Sequence, residues 1–440
     1  MNLVQESKSF ARSLLLLILL NVLVKPIWIF GIDRQVQNIT GYTAYGNYFA
    51  LLNLSIVLNF MLDFGITPYF NRTVAAEQAS GRVLFSQAFS IKLLLSLLYT
   101  MMVFLIAFFS GALTGKLLFM IILMQVLTSF SLLLRSYLSA SQQYAQDAWL
   151  SITDKLFVIL AAGFLLAYPG LSGNITINQF VIIQLLGLMI SIMLGIIFLF
   201  HRISSIIISP FRGFDPGILK SSLPFALNIF FMASIGRADG FLLERLGKGG
   251  AYEAGIYASG FRLLDAVNMG GYLMASFLLP FISRNWPDEK ALRPILLACR
   301  HVLVVSSLVA GAFAWNYSTQ INLWLYHARD PETGDMIRVL LLCLLPMGIV
   351  HIYGTLLTAT GNIRAMLRIS GLLAAASIIL NVMMIPRFGA YGAAWVAVGT
   401  QSLFAVLVCV IALRKTNTRF AWRDIMIYLL LAIVLFMVLK

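Results

Sequence analysis

Gly41-Tyr-Thr-Ala-Tyr45-Gly46-Asn-Tyr48 and Ala251-Tyr-Glu-Ala-Gly255-Ile-Tyr257 carry the same Gly-x-Tyr unit, with their glycines 209 residues apart. Each leads into an apolar stretch that closes on a proline and an arginine: Pro68-Tyr-Phe-Asn-Arg72 in the first copy, Pro280-Phe-Ile-Ser-Arg284 in the second, 212 residues apart. Two matches in the same order, with spacing kept to within three residues, mark an internal repeat. The chain therefore divides into halves of about 200 residues, joined by a basic stretch with proline and glycine between His201 and Pro224.

What is repeated follows from composition. Of 440 residues, 60% are hydrophobic and 11% are charged, against about 45–50% and about 25% in a soluble domain. Too little polar surface remains to cover a water-facing globule, and disorder, a coiled coil and a disulfide scaffold fail on the same counts. A bilayer core about 30 Å thick takes roughly 20 apolar residues of helix, and thirteen such windows occur between residues 9 and 439. The last is short: 15 apolar residues from Ile425 rise only about 22 Å.

With a cytoplasmic N-terminus, 20 of the 31 Lys and Arg fall on the inner side and 9 on the outer, with Lys25 and Arg262 inside spans. That bias is the one expected of an inner-membrane protein. The net charge of +14 is thus mainly a topology signal facing anionic lipid, and nucleic acid is not an implied partner. Six spans return the chain to its starting side, so the copies share one orientation, as in parallel-repeat transporters. The predicted fold is an all-α polytopic membrane protein of two six-helix bundles around a central cavity. Residues 1–205 and 219–413 form the bundles, 206–218 a cytoplasmic linker, and 423–440 an extra C-terminal transmembrane helix.

Motifs for chemistry are missing. There is no P-loop, no His-Glu-x-x-His and no Ser/His/Asp spacing, and the four histidines are scattered. Cys299, Cys343 and Cys409 lie in apolar runs without ligand-spaced neighbours. No outer loop exceeds about 20 residues, too little to carry the active site of a membrane transferase or polymerase. Asp330, Glu332 and Asp335 in one outer loop read as solvated charges. No cofactor, metal or enzymatic activity is expected, and transport is the default.

The combination of Lys25-Pro26 in the first span, Tyr45-Gly46-Asn-Tyr48, Asp63-Phe-Gly65 and Arg72 resembles the polysaccharide-transporter or O-antigen flippase family. Late in the chain, Asn381-Val-Met-Met-Ile-Pro386-Arg-Phe-Gly389-Ala-Tyr-Gly392-Ala-Ala394 is similar to that family's Pro-x-x-Gly-x-x-Gly-Ala-Ala turn. The opening Lys-Pro-x-Trp-Ile-Phe-Gly-Ile-Asp-Arg is most similar to Bacteroidetes-type members. The same superfamily holds multidrug exporters and the peptidoglycan-precursor flippase. The resemblance implies flipping of an undecaprenyl-pyrophosphate-linked oligosaccharide to the outer leaflet of the bacterial inner membrane. It also implies association with membrane lipids and work alongside a polysaccharide polymerase and glycosyltransferases. A small-molecule antiporter of the same fold is the alternative, and the coupling ion is left open.

Ionisable residues within spans are costly and mark cavities or partners. Lys25 is read as a cation for the pyrophosphate or an acidic sugar, or as a side chain snorkelling outward. Asp63, near the inner end of span 2, is either a coupling or gating carboxylate or one half of a structural ion pair. Arg262 and Asp265 lie three residues apart and share a helix face, which makes them a self-neutralising pair or a pair that substrate could break. Arg237 and Asp239 near the outer end of span 7 read as cavity or interface charges, and Asp33 and Arg34 as interfacial charges or an outer gate.

Overall fold

The computed structural model describes residues 19–67, 81–111, 115–141, 143–168, 175–200, 216–327, 331–416 and 422–438. Among these residues there is no strand, and nine helices are long and apolar enough to cross a membrane. The expectations for Pro68–Arg72, Asp330 and the linker up to residue 215 lie outside the described residues.

The first helical run opens at residue 19, passes through a π-helical turn at Ile27–Asp33 and continues as Arg34–Val57. Gly41 breaks it (φ 77°, ψ 168°), so α1 lies before Gly41 and α2 after it. There follow α3 (Gly81–Phe109), α4 (Lys116–Ala140), α5 (Tyr144–Ala167), α6 (Ile177–Phe200), α7 (Pro216–Leu246), α8 (Ala251–Asn285) and α9 (Glu289–Tyr326). Next, α10 comprises Pro331–Leu340 and Leu344–Ala359 joined by a 3-10 turn. The run Ile363–Lys415 is 53 residues long, about 80 Å at 1.5 Å per residue, far more than one bilayer crossing needs. It divides at Gly389 (φ 55°, ψ −139°) into α11 and α12.

Local chemistry explains these ends. At the start of α6, Thr176 N–H donates to Gln179 Oε1 (2.8 Å) and Gln179 N–H to Thr176 Oγ1 (3.3 Å), a capping box. In the Asp63-Phe64-Gly65 turn, where Phe64 and Gly65 both have positive φ, the Asp63 carboxylate accepts from Thr67 N–H (3.3 Å) and from the Thr67 hydroxyl. At the Pro386-to-Gly392 turn, Glu253 of α8 accepts from Ala390 N–H (2.7 Å) and so caps the first turn of α12. A left-handed residue there favours glycine, and a Cβ on Gly389 would stand 2.4 Å from Glu253 Oε2.

The chain forms two compact units: one holds the residues up to Gly41 and Leu51–Phe230, the other Tyr42–Ala50 and Phe231 onward. The core of the first unit includes Phe85, Leu133, Leu138, Leu150 and Leu199. That of the second includes Leu278, Ile282, Leu303, Tyr353, Leu373 and Phe404. The second unit takes in Tyr42–Ala50 at the start of α2, and the first unit extends to Phe230, within α7.

The extra C-terminal helix is present as α13 (Trp422–Val438). It runs alongside α9 in the same direction, with Asp424 paired to the buried Arg300, Tyr428 Oη hydrogen-bonded to His301 Nδ1 (2.7 Å) and Phe436 edge-on to Trp315. Its 17 residues rise about 26 Å.

Candidate functional site

In the first unit, α1 and α5 pack side by side. Asn21 Nδ2 donates to Ser151 Oγ (3.0 Å), and Lys155 Nζ lies 4.5 Å over the Trp28 ring. Lys25 sits between these contacts, with Lys155, Asp154 and Arg135 as its charged neighbours. Arg135 is committed to Asp147 (2.7 Å) and Lys155 to Asp154 (3.1 Å). Among the described residues Lys25 makes no ion pair, so three cations face two carboxylates and the cluster is left positive. Lys25 gathers with two further bases, Arg135 and Lys155, both counted on the inner side from sequence. Lys155 is in fact eleven residues into α5, about 16 Å along it. Its depth was missed because the fifth apolar window begins at residue 150, six residues after α5 does.

Asp63 is an ion pair as well as a cap. Lys92 Nζ donates to Asp63 Oδ1 (2.8 Å) and to Ser129 Oγ (2.8 Å), and the lysine is 1% exposed. Ser129 Oγ in turn donates to the Leu62 carbonyl (3.3 Å). The ammonium sits in a cage of oxygens, which is how a charge is tolerated where water is excluded. Lys92, counted as an inner-side charge from sequence, lies eleven residues into α3. Asp33 is fully buried within the protein, while its neighbour Arg34 is half-buried.

In the second unit the charges exchange the partners that spacing suggested. Asp265 accepts from Arg237 Nη2 with both oxygens (3.0 and 2.9 Å), across from α7, rather than from Arg262. Arg262 Nε donates to Tyr45 Oη (2.9 Å), with its guanidinium 5.9 Å from the Tyr45 and Phe49 rings. Asp239, 4% exposed, accepts from the Tyr257 hydroxyl and from Gly240 N–H (3.1 Å). Every one of these side chains is thus held by a neighbour on another element, and the Arg237–Asp265 pair, about a quarter exposed, is the most accessible of them.

The two repeated glycines meet. A Cβ on Gly46 would stand 1.8 Å from the Ala251 carbonyl oxygen and 2.7 Å from Gly255 N, and one on Gly255 would stand 2.0 Å from the Tyr42 oxygen. Only glycine allows two helix backbones to come this close, the arrangement small residues provide in membranes. Around the crossing Tyr45, Tyr48, Phe49, Tyr257 and Phe261 are each at most 4% exposed.

Glu332 and Asp335 line a cavity of about 400 Å³ with Lys248, Glu253 and Arg387. Among the described residues no group of His, Cys, Asp and Glu could hold a metal ion.

Comparison with known proteins gives the fold a wider setting. The chain is similar to an outward-facing multidrug resistance MATE family transporter of the MOP superfamily, at 14% identity and a TM-score of 0.67, covering 94% of this chain and 96% of the other. The inward-facing conformation of such a transporter matches at 14% identity and 0.66, over 91% and 94%. A MOP superfamily transporter from Pyrococcus furiosus, described as having a binding pocket of reverse polarity that suggests a different function, matches at 13% identity and 0.67, over 94% and 96%. No curated protein matches. The polytopic, all-helical fold is therefore that of the MOP transporters. A family model described as polysaccharide biosynthesis protein matches residues 10–286, more than half of the chain, and the protein belongs to that family.

Proposed function

We propose that the protein is a transporter that moves a polyprenyl-pyrophosphate-linked oligosaccharide from the inner to the outer face of the bacterial cytoplasmic membrane by alternating access. The observation that carries this reading is Lys25, a cation in a span, with no ion-pair partner among the described residues, beside Trp28, Arg135 and Lys155. A positive cluster with an aromatic face suits a pyrophosphate joined to a sugar. An exporter of drug cations calls for the opposite sign. The family match is consistent with polysaccharide assembly, the protein acting as carrier between glycosyltransferases inside and a polymerase outside, and the inner-side excess of Lys and Arg supports a cytoplasmic N-terminus.

The likeness to multidrug transporters favours a second reading, a small-molecule antiporter of the same fold. The two separate experimentally. In cells lacking the protein, lipid-linked oligosaccharide should collect facing the cytoplasm, and the Lys25→Ala protein should fail to clear it while Lys25→Arg restores much of the flux. Normal exposure of the oligosaccharide outside, in a strain without any related carrier, refutes the flippase. Resistance to cationic drugs that depends on the protein would then support the second reading.

A further inference from the structure

Phe261, Asp265, Asn268 and Tyr272 follow one another at spacings of four, three and four along α8 and so form one stripe of the helix. Arg237 of α7 faces this stripe: its guanidinium lies 4.6 Å over the Phe261 ring while its Nη2 holds both oxygens of Asp265. His351 of α10 faces it further along. His351 Nε2 and Asn268 Oδ1 are 3.0 Å apart, and the imidazole lies edge-on to the Tyr272 ring, 4.6 Å between centres.

Asn268 is 4% exposed, yet its Nδ2 is without a hydrogen-bond partner among the described residues. Turning the amide over would satisfy the nitrogen on the imidazole and leave the oxygen bare instead. A buried polar atom left in this way is destabilising, and natural interiors rarely keep one. Beside it stand an ion pair about a quarter exposed and a tyrosine that is 56% exposed. Along about 10 Å of helix, the stripe thus combines a buried amide whose nitrogen lacks a partner, a carboxylate and guanidinium with spare lone pairs and protons, and an open aromatic ring.

The charge of this stripe sets the ligand class. Arg237 and Asp265 cancel, so the stripe has no surplus for a pyrophosphate or for a drug cation, in contrast with the cluster around Lys25. What it offers is donors and acceptors in alternation next to a ring face, which matches a neutral polyhydroxylated group, whose hydroxyls both give and accept and whose C–H faces lie against aromatics. We propose that Asn268, Tyr272 and the Arg237–Asp265 pair form a saccharide site that holds the sugar end of the cargo. The proposal rests on the reading that the cargo is a lipid-linked oligosaccharide.

The test is binding to the full chain in lipid nanodiscs, followed by tryptophan fluorescence. The probes are undecaprenyl pyrophosphate bearing no sugar, one N-acetylhexosamine, or a hexosyl-N-acetylhexosamine. The unaltered protein should bind at least one sugar-bearing probe about 10-fold or more tighter than the bare lipid. Asn268→Leu should remove most of that advantage, about 5–10-fold for one lost hydrogen bond, and leave the affinity for the bare pyrophosphate unchanged. Asn268→Ser, which keeps a small polar group, should do the same and covers the event that the leucine variant fails to fold. Lys25→Ala should weaken all probes alike. A wild-type protein with equal affinity for all three probes, or an Asn268→Ser protein that keeps the full sugar advantage, overturns the saccharide site while leaving the flippase standing. Failure of the unaltered protein to bind any of the probes overturns the cargo reading itself and the site with it.

Discussion

Replacing Gly46 by alanine tests the glycine crossing directly. The added Cβ would stand 1.8 Å from the Ala251 carbonyl oxygen, where a carbon and an oxygen settle at about 3.3 Å, so the helices must part by about 1.5 Å. Overpacking of that kind costs about 1–3 kcal/mol. The same parting stretches the Arg262–Tyr45 hydrogen bond from 2.9 Å beyond its working range, a further loss of about 1.5–3 kcal/mol for a bond to a charged group. Alanine returns up to about 1 kcal/mol in helix propensity, which leaves a net destabilisation of roughly 1.5–6 kcal/mol. At about 2–4 °C per kcal/mol for a unit of this size, the melting temperature of the purified protein in detergent should fall by roughly 10 °C. Gly270→Ala is the control, since it lies on α8, the helix that α2 meets at Gly255, with nothing within 4 Å of its added Cβ, and it should melt at or slightly above the parent temperature. If Gly46→Ala and Gly270→Ala shift the melting point equally, the crossing is not a tight backbone contact and the reasoning fails.

Three further outcomes are expected. Asp63→Asn or Lys92→Met alone should destabilise the protein by about 3–5 kcal/mol, because each strands a partner away from water. The double variant should recover most of that loss, and a thermal melt that shows simple addition would count against the buried pair. Glu253→Ala should cost about 0.5–2 kcal/mol as a lost helix cap and should raise hydrogen exchange at Ala390 N–H, whereas unchanged exchange there would refute the cap. Asp424→Asn should weaken the hold of α13 on Arg300 and make the segment from Trp422 more sensitive to protease, with the twelve preceding helices unaffected in the same digestion.

Much of the fold was legible because its two strongest signals are local. Apolar windows report bilayer crossings one at a time, and glycine and proline at Gly41, Pro386 and Gly389 mark where α1 turns into α2 and α11 into α12. The Gly-x-Tyr repeat was legible as a repeat, but that its two glycines meet each other is visible only in the structure. The site was harder to read. Helix spacing brings Arg262 and Asp265 to one face, but it carries no information about α7, whose Arg237 has the better approach to Asp265. Lys92 and Lys155 read as inner-side charges because an apolar window begins where the sequence turns apolar, whereas the helices begin earlier, in polar sequence, and hold each lysine eleven residues in. Ser129, which completes the cage around Lys92, had no sequence signal, for a serine in a span is ordinarily bonded to its own helix.

The meeting of Gly46 with Gly255 bears on descent. If the halves arose by duplication of one six-helix gene, the ancestor formed a two-fold dimer, and in such a dimer a residue on the axis touches its own copy. One ancestral glycine would then have served both sides of the crossing, and any enlargement would have been felt twice. Fusion of the copies freed the two positions to change separately. Both positions are glycine in this chain, and it is the distance between the backbones, whatever symmetry first produced it, that requires glycine at each.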